Sequence, residues 1–124
     1  MQKEKILVID DEDFILQLSR DILSKINYDV KAISDGNAGI QLIKNEKFDL
    51  LLTDIKMPEI SGLDIIRQVR TSNKEIPIIV ITGHGTLHTA SHALRLGAQG
   101  FILKPFTPIE LRTAVAEALE KTRL

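Results

Sequence analysis

The sequence predicts an α/β domain in which five parallel strands alternate with five helices that cover both faces of a doubly wound sheet. Short runs rich in Ile, Val and Leu alternate with amphipathic helical patterns, and no repeat or linker-like stretch interrupts them. Three of the runs are almost continuously apolar, which is typical of parallel strands that are buried on both faces. The predicted strands are residues 5–10, 29–33, 48–53, 77–82 and 100–104.

The second strand has a different pattern from the others. In Asp29-Val30-Lys31-Ala32-Ile33, polar and apolar side chains alternate. Alternation indicates that one face of a strand is exposed, so we expect this strand at an edge of the sheet.

The helices are predicted from apolar spacing and from capping residues. The first carries Phe14, Leu18, Ile22 and Ile26 at a spacing of four, and we expect these to form its apolar face. In the fourth, we expect Leu94, Leu96 and the alanines to pack in the core. The predicted helices are residues 13–26, 36–45, 62–72 and 86–96, and a last helix from residue 108 to the end of the chain.

Two helix starts have recognisable caps. Asp35 is a plausible N-cap of the second helix. The last helix has Thr107 as its N-cap, Pro108 at its first position and Glu110 closing a capping box. Its buried side is predicted to comprise Leu111, Val115, Ala118, Leu119 and Thr122.

Bulk composition excludes several classes of protein. The chain has 124 residues, the length of one domain, and a net charge of −1, which gives no basic field to hold nucleic acid. It has no cysteine, so disulfides and thiolate metal sites are excluded. No apolar run approaches the roughly 18–20 residues of a membrane span, and no signal-peptide core follows Met1. We therefore expect no membrane association and a cytoplasmic location.

Charged and polar residues stand at the ends of four predicted strands. Asp10 and Asp11 end the first, Asp54 ends the third, Thr82 ends the fourth and Lys104 ends the fifth. Because the carboxyl ends of parallel strands share one edge of the sheet, we expect these side chains to converge in a crevice there.

The residue types in this crevice suit phosphoryl transfer. Three carboxylates a few ångströms apart repel each other by about a few kcal/mol per pair, so such a cluster either raises a pKa or binds a cation. Oxygen ligands without Cys or His favour a hard ion such as Mg²⁺. With a lysine and a hydroxyl added, the set describes phosphoryl transfer onto an aspartate.

The combination of motifs resembles the receiver domain of bacterial two-component response regulators. It consists of Asp10-Asp11, of Asp54 followed by Met57-Pro58 and Ser61-Gly62, of Thr82-Gly83, and of Lys104-Pro105-Phe106. The resemblance covers essentially the whole chain. It implies one receiver domain over residues 1–124 with the flavodoxin-like (βα)5 fold and the strand order 2-1-3-4-5.

The resemblance also implies a metal site and a phosphoacceptor. Asp54 matches the phosphoacceptor. Asp11 matches the acid that binds Mg²⁺ directly, and Asp10 matches the acid that usually acts through water. The backbone carbonyl of Lys56 matches the third protein ligand, and Mn²⁺ is an alternative ion.

Further roles are implied for residues around the acceptor. Lys104 matches the lysine that pairs with the phosphoryl oxygens, and Thr82 matches the switch hydroxyl. Phe101 occupies the aromatic switch position, where many relatives carry Tyr, so any phenolic hydrogen bond is lost here. We further hypothesise that Lys56 and His84 flank the path of the attacking water and tune the lifetime of the phosphoryl group.

The function implied is that of a phosphoacceptor switch that assists its own phosphorylation and dephosphorylation. A histidine kinase or phosphotransfer protein would donate the phosphoryl group. The face formed by the fourth helix, fifth strand and fifth helix would then change its affinity for an output domain or downstream protein, or for a second copy of the chain. Direct binding of nucleic acid by this domain is not expected.

Other interpretations remain open at this stage. A phosphohydrolase of the haloacid dehalogenase type also uses an Asp nucleophile, but its chemistry requires a second Asp two residues after the nucleophile, where this chain has Lys56. A flavodoxin-like cofactor binder would need a phosphate loop after the first strand, and that loop is absent from the sequence. A phosphorylation-incompetent receiver that acts only as an interaction domain is the main alternative.

Four further residues invite metal-site hypotheses that we do not favour. Glu12 is interpreted as a first-turn acid favoured by the helix dipole rather than as a metal ligand. His84, His88 and His92 are spaced by four, but without an acidic third ligand nearby they are interpreted as solvated or partner-facing side chains rather than as a zinc site.

Overall fold

A computed structural model describes residues 3–72, 75–83 and 85–123, with only the backbone for residues 122 and 123. Strands and helices alternate strictly along the chain. The strands are β1 (Lys5–Ile9), β2 (Asp29–Ile33), β3 (Leu50–Thr53), β4 (Ile78–Thr82) and β5 (Gly100–Leu103). The helices are α1 (Asp13–Ser24), α2 (Gly36–Asn45), α3 (Gly62–Ser72), α4 (Leu87–Arg95) and α5 (Pro108–Arg123).

The five strands form one parallel sheet in the order β2-β1-β3-β4-β5. The predicted fold class and strand order are confirmed, and β2 lies at an edge as its alternating pattern indicated. Successive strands are added on one side of β1 up to β2 and on the other side from β3 onward, so the strand order reverses between β1 and β3. A doubly wound sheet opens a crevice at this point, at the carboxyl ends of its strands.

Alternate residues of the central strands point into two separate apolar cores. On one face, Ile6, Val8 and Leu52 pack with residues of α1 and α5. On the other face, Leu7 and Val80 pack with residues of α2, α3 and α4. Since each fully buried Leu, Ile or Val contributes about 1.5–3 kcal/mol, these two layers hold the strand ends in place.

Helix α1 buries a different face from the one predicted. Ile15, Ser19, Ile22 and Leu23 are buried, whereas Phe14 is 72% exposed and Ile26 is 38% exposed. At about 100° per residue, Phe14 lies about 80° from Ile22, on the side away from Leu23 and off the buried stripe, while Ile26 lies beyond the end of the helix. The helix also ends at Ser24, earlier than predicted, and Asn27 then takes a left-handed conformation with φ of 75°.

The prediction that Leu94 packs in the core is wrong. Leu94 is 54% exposed, and Ala93 is the buried residue of α4, while Leu96 is half-buried against the core. This nine-residue helix contacts its neighbours through small side chains, so its larger apolar residues face outward.

The predicted caps are present. Asp35 Oδ1 accepts hydrogen bonds from the backbone N–H groups of Asn37 and Ala38. At α5, Glu110 Oε1 accepts from Thr107 N at 2.8 Å and Thr107 Oγ1 accepts from Glu110 N at 3.1 Å, which completes the capping box. Among the helices of the described ranges, none has both the length and the apolar character needed to cross a membrane.

Candidate functional site

Four of the five strands deliver a site residue to the same edge of the sheet. Asp10 follows β1, Asp54 follows β3, Thr82 ends β4 and Lys104 follows β5. The backbone pairing continues one residue past three of the strands. Asp10 N donates to Ile33 O at 3.2 Å, Asp54 N to Ile9 O at 3.0 Å and Lys104 N to Thr82 O at 2.9 Å. These bonds fix where each side chain begins, so the crevice is built by the sheet itself.

Lys104 lies at the centre of the crevice. Its Nζ is 2.8 Å from Asp10 Oδ2, 2.7 Å from Glu12 Oε1 and 3.0 Å from Asp54 Oδ2. Burial alone would lower the pKa of Lys104, but its interactions with the three carboxylates outweigh burial and raise that pKa above its ordinary value. The ammonium therefore stays charged and partly neutralises the acids around it.

Asp10 is the most perturbed acid in the site. Its side chain is buried, and its Oδ1 accepts a hydrogen bond from the backbone N–H of Glu12 at 2.9 Å. Burial raises the pKa of Asp10 to about 6, and the charge of Asp54 acts in the same direction, while Lys104 and the Glu12 N–H oppose the shift. A carboxylate held in this way gains from any additional positive charge brought into the crevice.

Asp54 is held by its own loop and by Lys104. Its Oδ1 accepts from the backbone N–H of Ile55 at 2.7 Å, which leaves Oδ2 directed at Lys104 Nζ. The loop then turns back, and Gly62 N donates to Ile55 O at 2.8 Å at the start of α3. A Cβ atom on Gly62 would collide with the carbonyl oxygen of Asp54, so this close approach needs glycine.

A cavity of about 260 Å³ opens in front of Asp54. Its walls carry three carboxylates, two lysines and one glycine. The lining residues are Asp11, Glu12, Asp54, Lys56, Gly83 and Lys104. The cavity thus joins the predicted acceptor, the predicted lysine and Lys56.

The acidic cluster differs in one member from the predicted set. Ligand oxygens of Asp10, Glu12 and Asp54 lie within 4.8 Å of one another, so these residues could hold a metal ion. Asp11 is exposed and lines the cavity, but it is outside that group of three. Glu12, which the sequence favoured only as a first-turn acid, is instead directed at Lys104. Its position directly after Asp11, at the N-cap of α1, was the available signal.

Thr82 and Phe101 lie on neighbouring strands beside the crevice. Thr82 is fully buried, and Phe101 pairs with Val80 on the adjacent strand and is half-buried. A Cβ atom on Gly85 would lie 2.8 Å from Phe101 Cε1, so the ring packs against the loop between β4 and α4. His84, in that loop, lies outside the described residues. The Lys104–Pro105 peptide bond is cis.

The two described histidines of α4 do not join the acidic cluster. His88 and His92 have ring centroids 6.3 Å apart, and Arg67 Nη2 of α3 lies 3.3 Å from His92 Nε2. Within the described ranges, the only group of three candidate metal ligands is the acidic one. A guanidinium beside His92 disfavours a cation there.

Comparison with known proteins identifies the family. The model of the response regulator receiver domain matches residues 6–116. The chain belongs to this family. As a receiver domain, it is a component of two-component signalling, and receiver domains generally act as phosphoacceptor switches rather than as conventional enzymes.

Two curated relatives cover nearly the whole receiver domain. It is 37% identical to the probable transcriptional regulator ycf27 of Porphyridium aerugineum, with 98% of this chain and 50% of that protein aligned. It is 36% identical to the response regulator protein PilR of Pseudomonas aeruginosa, with 96% of this chain and 27% of that protein aligned. The chain thus spans half or less of the length of these relatives.

A solved structure supports the same assignment. The receiver domain superposes with a TM-score of 0.95 on the crystal structure of a response regulator receiver domain protein (CheY-like) from Methanospirillum hungatei. The two are 30% identical in sequence, and the alignment covers 98% of each chain. The five-stranded CheY-like fold is therefore shared over the whole domain.

Proposed function

We propose that Asp54 of this receiver domain accepts a phosphoryl group from the phosphohistidine of a histidine kinase or phosphotransfer protein, in the presence of Mg²⁺ or Mn²⁺. The observation that carries this proposal is the convergence of Asp10, Asp54 and Lys104 from three strand ends beside one open cavity. A buried carboxylate with a lysine 3.0 Å away, facing space for a ligand, is arranged for charge-stabilised transfer rather than for packing.

The donor set fits a divalent hard cation. Three carboxylates share one ammonium, so the cluster carries excess negative charge, and all of its ligand atoms are oxygens. We assign the ion to Asp10, Asp11, Asp54 and the backbone carbonyl of Lys56. When bound, it would neutralise charge that develops on the transferring phosphoryl oxygens.

The residues of the chain then have distinct roles in the transfer. A carboxylate oxygen of Asp54 attacks phosphorus, an O–P bond forms, and the P–N bond to the donor imidazole breaks with its electron pair going to nitrogen. Lys104 supplies an ammonium to a phosphoryl oxygen. The backbone N–H of Ile55 keeps the Asp54 carboxylate oriented. Because the domain supplies its own catalytic groups, we expect small phosphodonors to phosphorylate it in addition to a kinase.

The output of the switch is proposed for the face formed by α4, β5 and α5. Thr82 would move toward the phosphoryl group, and Phe101 would repack into the space it leaves. The exposed Leu94, Leu103 and Ile109 on this face would then change their affinity for an output domain, a downstream protein or a second copy of the chain. This is a population shift between two packings, limited by the differential contacts in each state.

Two residues are proposed to set the lifetime of the phosphoryl group. Lys56 lines the cavity, where its side chain can contact an incoming water. His84 is the second, on the basis of its position in the sequence. If exchanging Lys56 and His84 together left the phosphoryl lifetime unchanged, the lifetime hypothesis would be wrong.

We also propose that residues 1–124 form one receiver unit that acts in the cytoplasm.

The phosphoacceptor role is tested by intact-mass analysis after incubation with acetyl phosphate and Mg²⁺. Wild type should gain one phosphoryl group, Asp54→Asn and a chelated sample should gain none, and Asp64→Asn should behave as wild type because Asp64 is an exposed acid on α3. A full gain in Asp54→Asn would contradict the proposal. No gain and no response to a beryllofluoride mimic in wild type would favour the interaction-domain alternative, and turnover of a phosphoester would favour the phosphohydrolase.

A further inference from the structure

Glu12 has none of the roles proposed above, yet it makes the shortest ion pair in the site. Its Oε1 lies 2.7 Å from Lys104 Nζ, compared with 2.8 Å for Asp10 and 3.0 Å for Asp54. The contact joins the N-cap of α1 to the residue after β5, and both residues line the cavity in front of Asp54. It therefore lies in the space that a phosphoryl group on Asp54 would enter.

Lys104 shares one ammonium among three acids. It donates hydrogen bonds to Glu12 Oε1 and Asp54 Oδ2, while Asp10 Oδ2 lies 2.8 Å away as an ion pair without a hydrogen bond. An ammonium has three N–H groups and no acceptor, so the N–H that Glu12 accepts is not available to a phosphoryl oxygen in this state. A carboxylate that accepts from Lys104 must leave before the phosphoryl group can take its N–H.

The exposures of the three acids indicate which one is released. The side chain of Glu12 is 59% exposed, whereas those of Asp10 and Asp54 are 2% and 6% exposed. Water can solvate Glu12 as soon as it leaves the lysine, but releasing a buried acid would leave an unpaired charge in the crevice. The carboxylate of Glu12 is also at the end of a longer, flexible side chain, whereas the carboxylates of Asp10 and Asp54 accept hydrogen bonds from backbone N–H groups.

We propose that Glu12 is a positioning residue that holds Lys104 in the resting receiver domain and gives up its N–H to the incoming phosphoryl group. Glu12 thereby restrains phosphorylation until a donor displaces it. The charge of Glu12 in the cavity wall also repels anionic phosphodonors, and this repulsion likewise slows phosphorylation. The inference rests on the proposed function, because it assigns the phosphoryl oxygen as the competitor of Glu12.

The test compares Glu12→Gln with the matched control Asp13→Asn in the full chain. Both remove one exposed acid from the start of α1, but only Glu12 contacts Lys104. At saturating Mg²⁺, where a change in ion affinity has no effect, phosphorylation by acetyl phosphate is followed by intact mass. We expect Glu12→Gln to be faster by about two- to fivefold, the change that corresponds to loss of an exposed ion pair, and Asp13→Asn to match wild type.

A second measurement needs no phosphoryl transfer. In metal-free protein, nuclear magnetic resonance reports how fast the Lys104 ammonium protons exchange with water. Loss of the Glu12 partner should make this exchange faster in Glu12→Gln and leave it unchanged in Asp13→Asn. If Glu12→Gln exchanges at the wild-type rate, or is phosphorylated no faster at saturating Mg²⁺, Glu12 does not restrain the lysine and the inference is overturned.

The two measurements separate the inference from the function on which it rests. If wild type takes no phosphoryl group from any donor, the proposed function fails and the restraint of phosphorylation fails with it, whatever the exchange rate shows. If wild type is phosphorylated normally but Glu12→Gln does not differ from Asp13→Asn, only the role of Glu12 is refuted.

Discussion

A single ammonium serving three carboxylates determines the behaviour of the site residues. Lys104 contacts Asp10, Glu12 and Asp54, and two of these acids are buried. Such an excess of negative charge opposes folding, because the charges are close together and poorly solvated. The receiver domain therefore gives up stability to keep an acidic crevice open, as functional sites often do.

The first prediction concerns Asp54→Asn in metal-free protein. Removing this charge relieves repulsion with Asp10 and Glu12, although the ion pair with Lys104 is lost at the same time. Two like charges a few ångströms apart cost up to about 4 kcal/mol at an effective dielectric of 20, so we expect a net gain of about 1–2 kcal/mol in the free energy of unfolding. Urea unfolding in the presence of a chelator measures it. A variant less stable than wild type would show that the lysine, not the repulsion, dominates.

The second prediction follows from the raised pKa of Asp10. In the folded protein this pKa is about 6, above the ordinary value, so between about pH 4 and 6 the folded state holds a proton that the unfolded state has released. Stability contributed by Asp10 is therefore present at low pH and is lost as pH rises through this window.

The measurement for Asp10 is a difference between two proteins. Since one pKa unit corresponds to about 1.4 kcal/mol, wild type should lose up to about 3 kcal/mol relative to Asp10→Asn between pH 4 and 7 without metal. Subtracting the two unfolding curves removes the contribution of other acids, such as Glu46, whose pKa is lowered by Lys5 and Lys31. A difference that does not vary with pH would contradict the assignment of the shift to Asp10.

The positions of individual site residues could be predicted from the sequence where a strand end fixes them. Asp10, Asp54, Thr82 and Lys104 meet because parallel strand ends share an edge, and an apolar run followed by a polar residue is visible in a sequence. Glu12 was not predictable in this way, because its role depends on which way a flexible side chain turns from the N-cap of α1.

At the scale of elements, the start of α3 is fixed by its close approach to β3. Gly62 lies against the backbone of Asp54, and its N–H donates to Ile55 O. The third prediction is that Gly62→Ala lowers the free energy of unfolding by about 1–3 kcal/mol, because the added Cβ collides with backbone atoms that cannot move like a flexible side chain. The rate of phosphorylation of Asp54 should also fall, because the loop that orients the acceptor must shift.

Gly83→Ala is the matched control for Gly62→Ala. A Cβ atom on Gly83 would lie 3.9 Å from Lys104 Cβ, an ordinary contact, so its free energy of unfolding should stay close to that of wild type. Chemical unfolding of the two variants distinguishes them. Equal stabilities would mean that the loop before α3 can relax and that the close approach is not a constraint.

Helices were predicted well in position and less well in orientation. The predicted bounds of α2 and α3 are confirmed. The N-cap of α2 and the capping box of α5 are also confirmed, because caps are local signals. The buried face of α1 was wrong because Phe14 is apolar yet lies off the stripe of Ile15 and Ile22. Which apolar residue faces the sheet depends on how the helix is rotated against it, and hydrophobicity alone does not specify that rotation.

At the scale of the whole molecule, the topology followed from the order of elements. Alternating strands and helices with right-handed crossovers allow few arrangements, and the continuous apolar runs placed β1, β3 and β4 in the interior. The same topology links the site to the rest of the domain, because β4 and β5 carry Thr82 and Lys104 at one end and pack against α5, while Ala93 of α4 shares a core with Val80 of β4. A change at the crevice can therefore reach the proposed output face through packed elements.

The fourth prediction is that Mg²⁺ stabilises the whole fold through the crevice. An ion that binds only the folded state adds about 2.7 kcal/mol at a hundredfold excess over its dissociation constant, so the Tm of wild type should rise with Mg²⁺ concentration. Asp54→Asn is expected to be more stable than wild type without the ion, and its Tm should rise much less with Mg²⁺. The difference in Tm between the two proteins should therefore shrink or change sign as Mg²⁺ is added. Asp64→Asn, which removes an exposed acid outside the site, should follow wild type. An equal gain in Asp54→Asn would place the ion elsewhere, for instance at the opposite edge of the sheet where Asp29 and Asp49 line a second cavity, and the metal-assisted transfer proposed for this receiver domain would be wrong.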